Sequence, residues 1–279
     1  DDWPQFYKFM EKGLKIELER LSDFNVKGIF KYFSHKEKLV DHIQSNLNEL
    51  LQQNINAAIL CPVYFNYENI LKVIHDNKIP LVLLGSDLTS YGKRLVCVRV
   101  NAELSGKMAA EIIGLFLTPE KSAAVFIGNK DIEVHKEKVK GFFDEVNINA
   151  RFNVAGVFET QDDAELAYVL TRKLLLERQD IGAIYVATGN SSPVCRCIED
   201  NGFIGKVKVV STDIFNEQIE YMNKGIVVAT IHQDPELQGK LALRALYSYL
   251  SEGRLPEETI LVTPQIALRS NVEQVLKEK

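Results

Sequence analysis

The stretch KVKVVSTDIFNEQIEYMNKGIVVATIHQDPELQG, Lys206 to Gly239, decides the fold. KVKVV is a short β-branched run that reads as a buried strand. Ser211, Thr212 and Asp213 close it with small polar groups. A helix-period segment follows, with Ile214, Ile219 and Met222 apolar, and Gly225 is the expected helix stop. IVVATI is a second strand, closed by His232 and Gln233. Asp234 and Pro235 then supply a cap and a proline at the first helical position. Two neighbouring strand ends therefore present Asp213 and Gln233. Ligands of open α/β sheets bind at the carboxyl ends of strands, so this pair reads as one wall of a small-molecule site.

The same alternation runs outward in both directions. A helix opens at Asp2-Trp3-Pro4 and reaches about Leu21, its apolar face made by Phe6, Phe9, Met10, Leu14 and Leu18. Residues 25–33 read as a strand and 34–53 as a helix capped by Ser34. AAILCP, the segment at 80–84 and LVCVRV read as strands, with helices over 67–77 and 102–117. After the short break at 118–121 the pattern restarts. Strands are predicted at 122–128, 152–158 and 183–187, and helices at 134–146, 162–178 and 192–201. A helix from Asp234 carries Leu237, Leu241, Ala245 and Tyr249 at spacing four. A last strand at about 259–262 leads into a tail past Pro264. This is α/β architecture in two doubly wound parallel-sheet lobes. The chain opens on a helix where such a lobe starts with a strand, so residues are expected to precede Asp1.

The 279 residues suffice for two cored domains. Net charge is −5 and no basic cluster stands out, which argues against nucleic-acid binding by this chain itself. No apolar run is long enough to span a bilayer, and no signal peptide is seen at the start. Cys61, Cys97, Cys195 and Cys197 form no metal pattern, and reduced, cytoplasmic thiols are expected. No GxGxxG follows a strand, and neither a P-loop nor a GxSxG elbow occurs. His35, His42, His75, His135 and His232 fall in no metal-ligand spacing. The Asp162-Asp163 pair sits at a helix start, where the macrodipole favours it. No catalytic residue, metal or cofactor is expected.

These residues carry a family resemblance over essentially the whole chain. VVSTD followed by KGIVVATIHQDPELQGKLALRAL resembles the sugar-sensing domain of lactose-repressor (LacI) family transcription regulators, a type I periplasmic-binding-protein fold. NAELSGKMAAEII and EKVKGFFDEV resemble two further family segments. The resemblance implies three strands crossing between lobes in a hinge. One lobe is then 1–102 plus 235–262, and the other 103–234 plus 263–279. It implies a small carbohydrate, a mono- or disaccharide, bound between the lobes. It also implies a homodimer, and DNA contact only through a headpiece outside this chain.

Ligand positions carry over one at a time. Asp213 matches the family's sugar-binding aspartate and Gln233 its crossing glutamine. Lys138 stands where the family has Arg, trading a planar fork for a point charge, and His135 precedes it on the same helix. Thr188 matches a common Asn, with Asn190 close by. Gly85 falls where many members have Asp, which leaves Ser86 and Asp87 as candidates. Trp3, Phe6 and Tyr7 lie where the family stacks aromatics on a sugar. Each has a plainer reading: a helix cap for Asp213, loop satisfaction for Gln233, and a solvated charged face for Lys138 in the run 135–140. Core packing would explain Trp3 and Phe6, and a loop with a cap would explain 188–192. A solute-binding protein of a sugar transporter would have the same fold and site.

Overall fold

The structure is a computed structural model that describes residues 5–32, 49–62, 67–88, 93–149 and 152–277. In chain order its elements are α1 (Gln5–Arg20), β1 (Ala58–Leu60), α2 (Glu68–Asp76), β2 (Leu81–Leu84), β3 (Val96–Val100), α3 (Ala102–Gly114), β4 (Ser122–Ile127), α4 (Glu133–Asn149), β5 (Asn153–Glu159), α5 (Ala164–Glu177), β6 (Ile181–Val186), α6 (Ser191–Asp200), β7 (Lys208–Thr212), α7 (Asn216–Asn223), β8 (Val227–His232), α8 (Pro235–Glu252), β9 (Thr259–Val262), β10 (Gln265–Ala267) and α9 (Val272–Lys277). The chain divides into two compact units. The larger comprises Val100–Asp234 and Thr263–Lys279 with the chain start up to Phe6; the smaller comprises Tyr7–Arg99 and Pro235–Val262.

The larger unit is built on a six-stranded sheet in the order β10-β8-β7-β6-β4-β5. The ladders β5–β4, β4–β6, β6–β7 and β7–β8 are parallel. Alternate residues of each strand feed opposite cores, as the two-residue period requires. Ala124, Phe126, Ile184 and Val186 pack with Leu174, Leu175 and Ile198 on one face. Val125, Ile127 and Tyr185 pack with Ile113, Phe142 and Val146 on the other. A sheet covered on both faces has no polar side, which explains the near-continuous apolar runs SAAVFI and IGAIYV.

The smaller unit carries a four-stranded sheet in the order β1-β2-β3-β9, parallel from β1 to β3. Its core sets Tyr67, Ile70, Leu71 and Ile74 against Leu81, Leu83 and Cys97.

Residues 26–32 form no strand. They run beside α1 on side-chain contacts instead: the Tyr32 hydroxyl donates to Glu11 at 2.7 Å, and Lys15 Nζ lies 5.4 Å from the Phe30 ring centre. Aromatic and β-branched residues suit a strand and also any segment that lays apolar side chains on a helix, so composition alone misleads here. The helix expected at 34–53 falls mostly outside the described residues, as do His35 and His42. The tail past Pro264 is structured. β10 pairs antiparallel with β8, Ile266 opposite Ile231, and α9 follows. Strict parallelism therefore fails at this edge; three residues are too few to show a period.

All four cysteines are free. Burial pushes the thiols of Cys61 and Cys97 up to about 12 and that of Cys197 up to about 11, and raises Cys195 further. Thiolate is the reactive form. A disulfide exchange reagent at pH 8 is therefore expected to leave all four thiols unmodified in the native chain and to titrate all four after denaturation. Fast native labelling would contradict the burial.

Candidate functional site

β7 and β8 end side by side, and a helix stop sets their register. α7 closes on Gly225 at φ +70, with Ile226 N–H donating to Tyr221 O at 2.9 Å and Gly225 N–H to Met222 O at 3.0 Å. This paired capping motif needs a left-handed residue, and Gly takes that conformation without steric cost. The chain then enters β8 beside β7, with Thr212 opposite Ile231.

Asp213 follows β7 directly. Its N–H donates to Ile231 O at 2.9 Å, and its carbonyl accepts from the Thr230 hydroxyl at 2.6 Å. Those bonds hold it at φ +63, a left-handed value that Asp tolerates better than most residues. The carboxylate is 3 % exposed at residue level and is met from β8. Gln233 Nε2 donates to Oδ2 at 2.6 Å, Gln233 N–H donates to Oδ1 at 3.1 Å, and His232 Nδ1 lies 3.7 Å from Oδ1. Asp213 is thus no helix cap: α7 starts at Asn216, with Phe215 at its N-cap. Left-handed non-glycine residues cluster at functional sites because a surrounding network must hold them. Asp234, next to Gln233, is a second case at φ +47.

Lys138 supplies the cation. The run 135–140 is not one solvated face. Lys136 and Lys140 are exposed and pair with Glu133, and with Glu103 and Asp144. Lys138 is 2 % exposed, and its Nζ donates to Ala187 O, just past β6, at 2.9 Å. Burial pushes its ammonium down to about 8, against the opposing pull of the Asp213 charge. Helix α4 reaches this depth because it touches α3 backbone to backbone. A Cβ on Gly106 would lie 2.0 Å from Lys138 O, and one on Gly141 would lie 2.0 Å from Glu103 O. The spacing Lys138-x-x-Gly141 therefore has a physical content: the glycine sets the helix crossing that carries the lysine inward.

His135 is mostly buried, and its Nδ1 sits 3.2 Å from Asn129 N and 3.0 Å from Asn129 O. Burial and then the Lys138 charge push it down to about 4, so it is neutral at pH 7. It holds the loop after β4. Thr188 lies just beyond β6 and gives its hydroxyl proton to Asp162. Asn190 occupies the N-cap position of α6 without making a side-chain cap bond, and its Nδ2 is buried with no partner among the described residues. The adjacent Ser191 hydroxyl accepts from Gln218 Nε2 instead.

Lys138, Thr188, Asn190, Asp213 and Gln233 thus gather at the carboxyl edge of one sheet, with His135 beside them. Of the other candidates, Tyr7, Ser86 and Asp87 belong to the smaller unit and Phe6 to the larger. Ser86 is half-buried in the smaller unit. Asp87 there accepts from Arg94 at 2.5 Å and from Leu88 N–H at 2.8 Å, which ties the loop after β2 to its own unit. Phe6 and Tyr7 are half-buried in the first turn of α1. Trp3 lies outside the described residues. Sequence reasoning missed Asp162, which the helix-start explanation had absorbed, and His232, treated only as the closing residue of a strand.

The buried lysine has a measurable consequence. Its folded-state value lies below the ordinary 10.5, so between about pH 8 and 10.5 the folded chain binds fewer protons than the unfolded one. The penalty of burying the charged form is full below pH 8 and is relieved as pH rises through that window. Relative to Lys138→Met, the parent is expected to gain up to about 3 kcal/mol between pH 7.5 and 10.5. Urea melts across that range check it; a flat difference would mean that Lys138 titrates normally.

The family model for the Periplasmic binding protein domain matches residues 4–254, and the chain belongs to that family. No curated protein matches it significantly. Among solved structures it is similar to GanP, a glucose-galactose binding protein from Geobacillus stearothermophilus, with TM-score 0.82, 18% identity, and 96% of this chain and 94% of that one covered. An ABC transporter solute-binding protein from Agrobacterium vitis, bound with α-D-tagatopyranose, gives TM-score 0.85 at 18% identity over 96% and 92%. A putative LacI transcriptional regulator from Bacteroides fragilis gives TM-score 0.81 at 14% identity over 96% and 94%. At these identities the likeness is one of fold, and the fold is the type I periplasmic-binding-protein architecture.

Proposed function

We propose that this chain is the ligand-sensing domain of a LacI-like transcription regulator and that its ligand is a small carbohydrate. The observation that carries the reading is the buried cluster at the ends of β7 and β8. There Asp213 is held left-handed by its backbone, bonded by Gln233 and electrostatically matched by Lys138. A carboxylate has about four acceptor sites, and Gln233 occupies two of them here. What remains can take hydroxyl protons in charge-assisted bonds, the stronger kind. Solved structures of this fold with bound sugars support the ligand class. The ligand can shift the regulator only by its differential affinity for two conformations. DNA contact would be made by a headpiece outside this chain, in a cytoplasmic homodimer.

A second reading has a specific observation behind it: several similar structures are transporter solute-binding proteins. The four free thiols, three of them buried, favour the regulator, since they suit a reducing compartment. The coding sequence upstream of residue 1 decides between them. A helix-turn-helix segment means regulator; a signal peptide or lipidated cysteine means transport. The ligand class is tested by a thermal-shift screen of the chain against mono- and disaccharides. At about a hundredfold excess over Kd a native-state ligand adds roughly 2.7 kcal/mol, on the order of several degrees in Tm. No shift with any sugar would sink the carbohydrate reading and leave the fold standing.

A further inference from the structure

Helix α7 buries Gln218 and Met222, one turn apart on the same face. Met222 joins the apolar core. Gln218 is fully buried and carries an amide to the same depth. A buried amide is costly unless its hydrogen bonds are made, and here both of its ends are engaged. Its Oε1 accepts Phe215 N–H at 3.1 Å, the reach back from the third helical residue to the N-cap. That bond alone would cap the helix. Nε2 does what a cap does not need. It donates to Ser191 Oγ at the start of α6, and it lies 3.5 Å from the carbonyl oxygen of Thr212, the last residue of β7.

One side chain therefore spans Asp213. Thr212 precedes the aspartate and Phe215 follows it, so Gln218 meets the chain on both sides of the left-handed turn. Between them Ile214 is anchored in the core. The third arm reaches Ser191, the neighbour of Asn190. Gln218, Ser191, Thr212 and Asp213 are all buried, so these bonds act away from solvent, where they are electrostatically stronger. Gln233, Thr230 and Ile231 hold Asp213 from β8; Gln218 braces the same turn from α6 and α7.

We infer that Gln218 is a positioning residue of the ligand site: its amide locks the Thr212–Phe215 turn to the start of α6 and so fixes Asp213 and Asn190 relative to each other. The inference rests on the ligand-binding reading above. Gln218→Met keeps the volume and removes the amide. Isothermal titration with D-glucose, D-galactose, D-ribose and D-allose is expected to show the variant, folded by circular dichroism, binding its sugar at least about tenfold more weakly than the parent. Lys138 supplies a second readout, because the Asp213 charge opposes the effect of burial on its ammonium. In ligand-free chain labelled with 13Cε-lysine, the resonance missing from Lys138→Met is expected to titrate lower in Gln218→Met than the parent's value of about 8. Ser191→Ala cuts only the arm to α6 and should weaken binding in the same direction; it replaces Gln218→Met should that variant not fold. Parent-like affinity in the folded variant would overturn the inference. So would an unchanged Lys138 titration, which would mean that Asp213 has kept its place. If no sugar binds the parent, the carbohydrate reading falls instead, and the Lys138 titration alone decides on Gln218.

Discussion

Gly141→Val is expected to lower the melting temperature of the chain by roughly 10 °C, a loss of about 3 kcal/mol or more in a unit of this size. The reason is geometric. Even a methyl group at this position would lie 2.0 Å from the backbone oxygen of Glu103. A flexible side chain could swing aside, but a helix backbone cannot, so α3 and α4 must separate along their whole contact. That contact packs Ile113 with Phe142 and Val146, and parting it opens the core beneath β4 and β6. Gly106 faces the same crossing from the other helix, 2.0 Å from Lys138 O by the same measure. Gly106→Ala and Gly141→Ala should therefore be strongly non-additive, because once either has pushed the helices apart the second costs less. Circular-dichroism melts of the two single variants and the double variant measure this. An additive double variant, or a Tm within a degree or two of the parent for Gly141→Val, would mean that the helices are not in backbone contact. Gly141→Ala should also weaken ligand binding without touching the site, since it lifts Lys138 away from Ala187 O.

Asp213→Ala is expected to abolish measurable carbohydrate binding, a loss of about hundredfold or more. Two charge-assisted hydrogen bonds to ligand hydroxyls, at about 1.5–3 kcal/mol each, account for that size. The substitution also leaves Gln233 Nε2 and Gln233 N–H without the acceptor they now share. It removes the charge that holds the Lys138 ammonium up, so Lys138 should titrate lower than in the parent. Asp213→Asn separates these effects. It keeps one of the two acceptor oxygens that Gln233 uses and loses the charge, so it should be destabilised less than Asp213→Ala while binding sugar much more weakly. Titration calorimetry with the sugar found in the thermal screen is the measurement. Parent-like affinity in both variants would remove Asp213 from the site, whatever the ligand.

The chain's alternation of apolar runs and helical stripes is local information, and the described elements follow it closely from β1 to β9. Where it failed, the cause was also physical. Residues 26–32 have strand-like composition and spend it on α1, and β10 is too short to show a period. At the site, Asp213 and Gln233 were legible because a small acidic or amide residue closing a buried strand is conspicuous. Asp162 was not, because two adjacent aspartates before a helix satisfy the expectation of a cap, and only the bond from Asp163 to Leu166 shows that one of them is left over for Thr188.

Sequence by itself determined most of the strands and helices, that they alternate, and which strand ends carry polar groups, because periodicity and capping act over a few residues. Tertiary structure alone decided which polar groups meet. Lys138 belongs to a charged run until the Gly106–Gly141 crossing buries it beside Ala187 O, while Lys136 and Lys140 stay in solvent. Burial, charge pairing and the direction of a hydroxyl proton depend on neighbours far away in the chain; Lys138 and Ala187 are 49 residues apart. No local pattern records them.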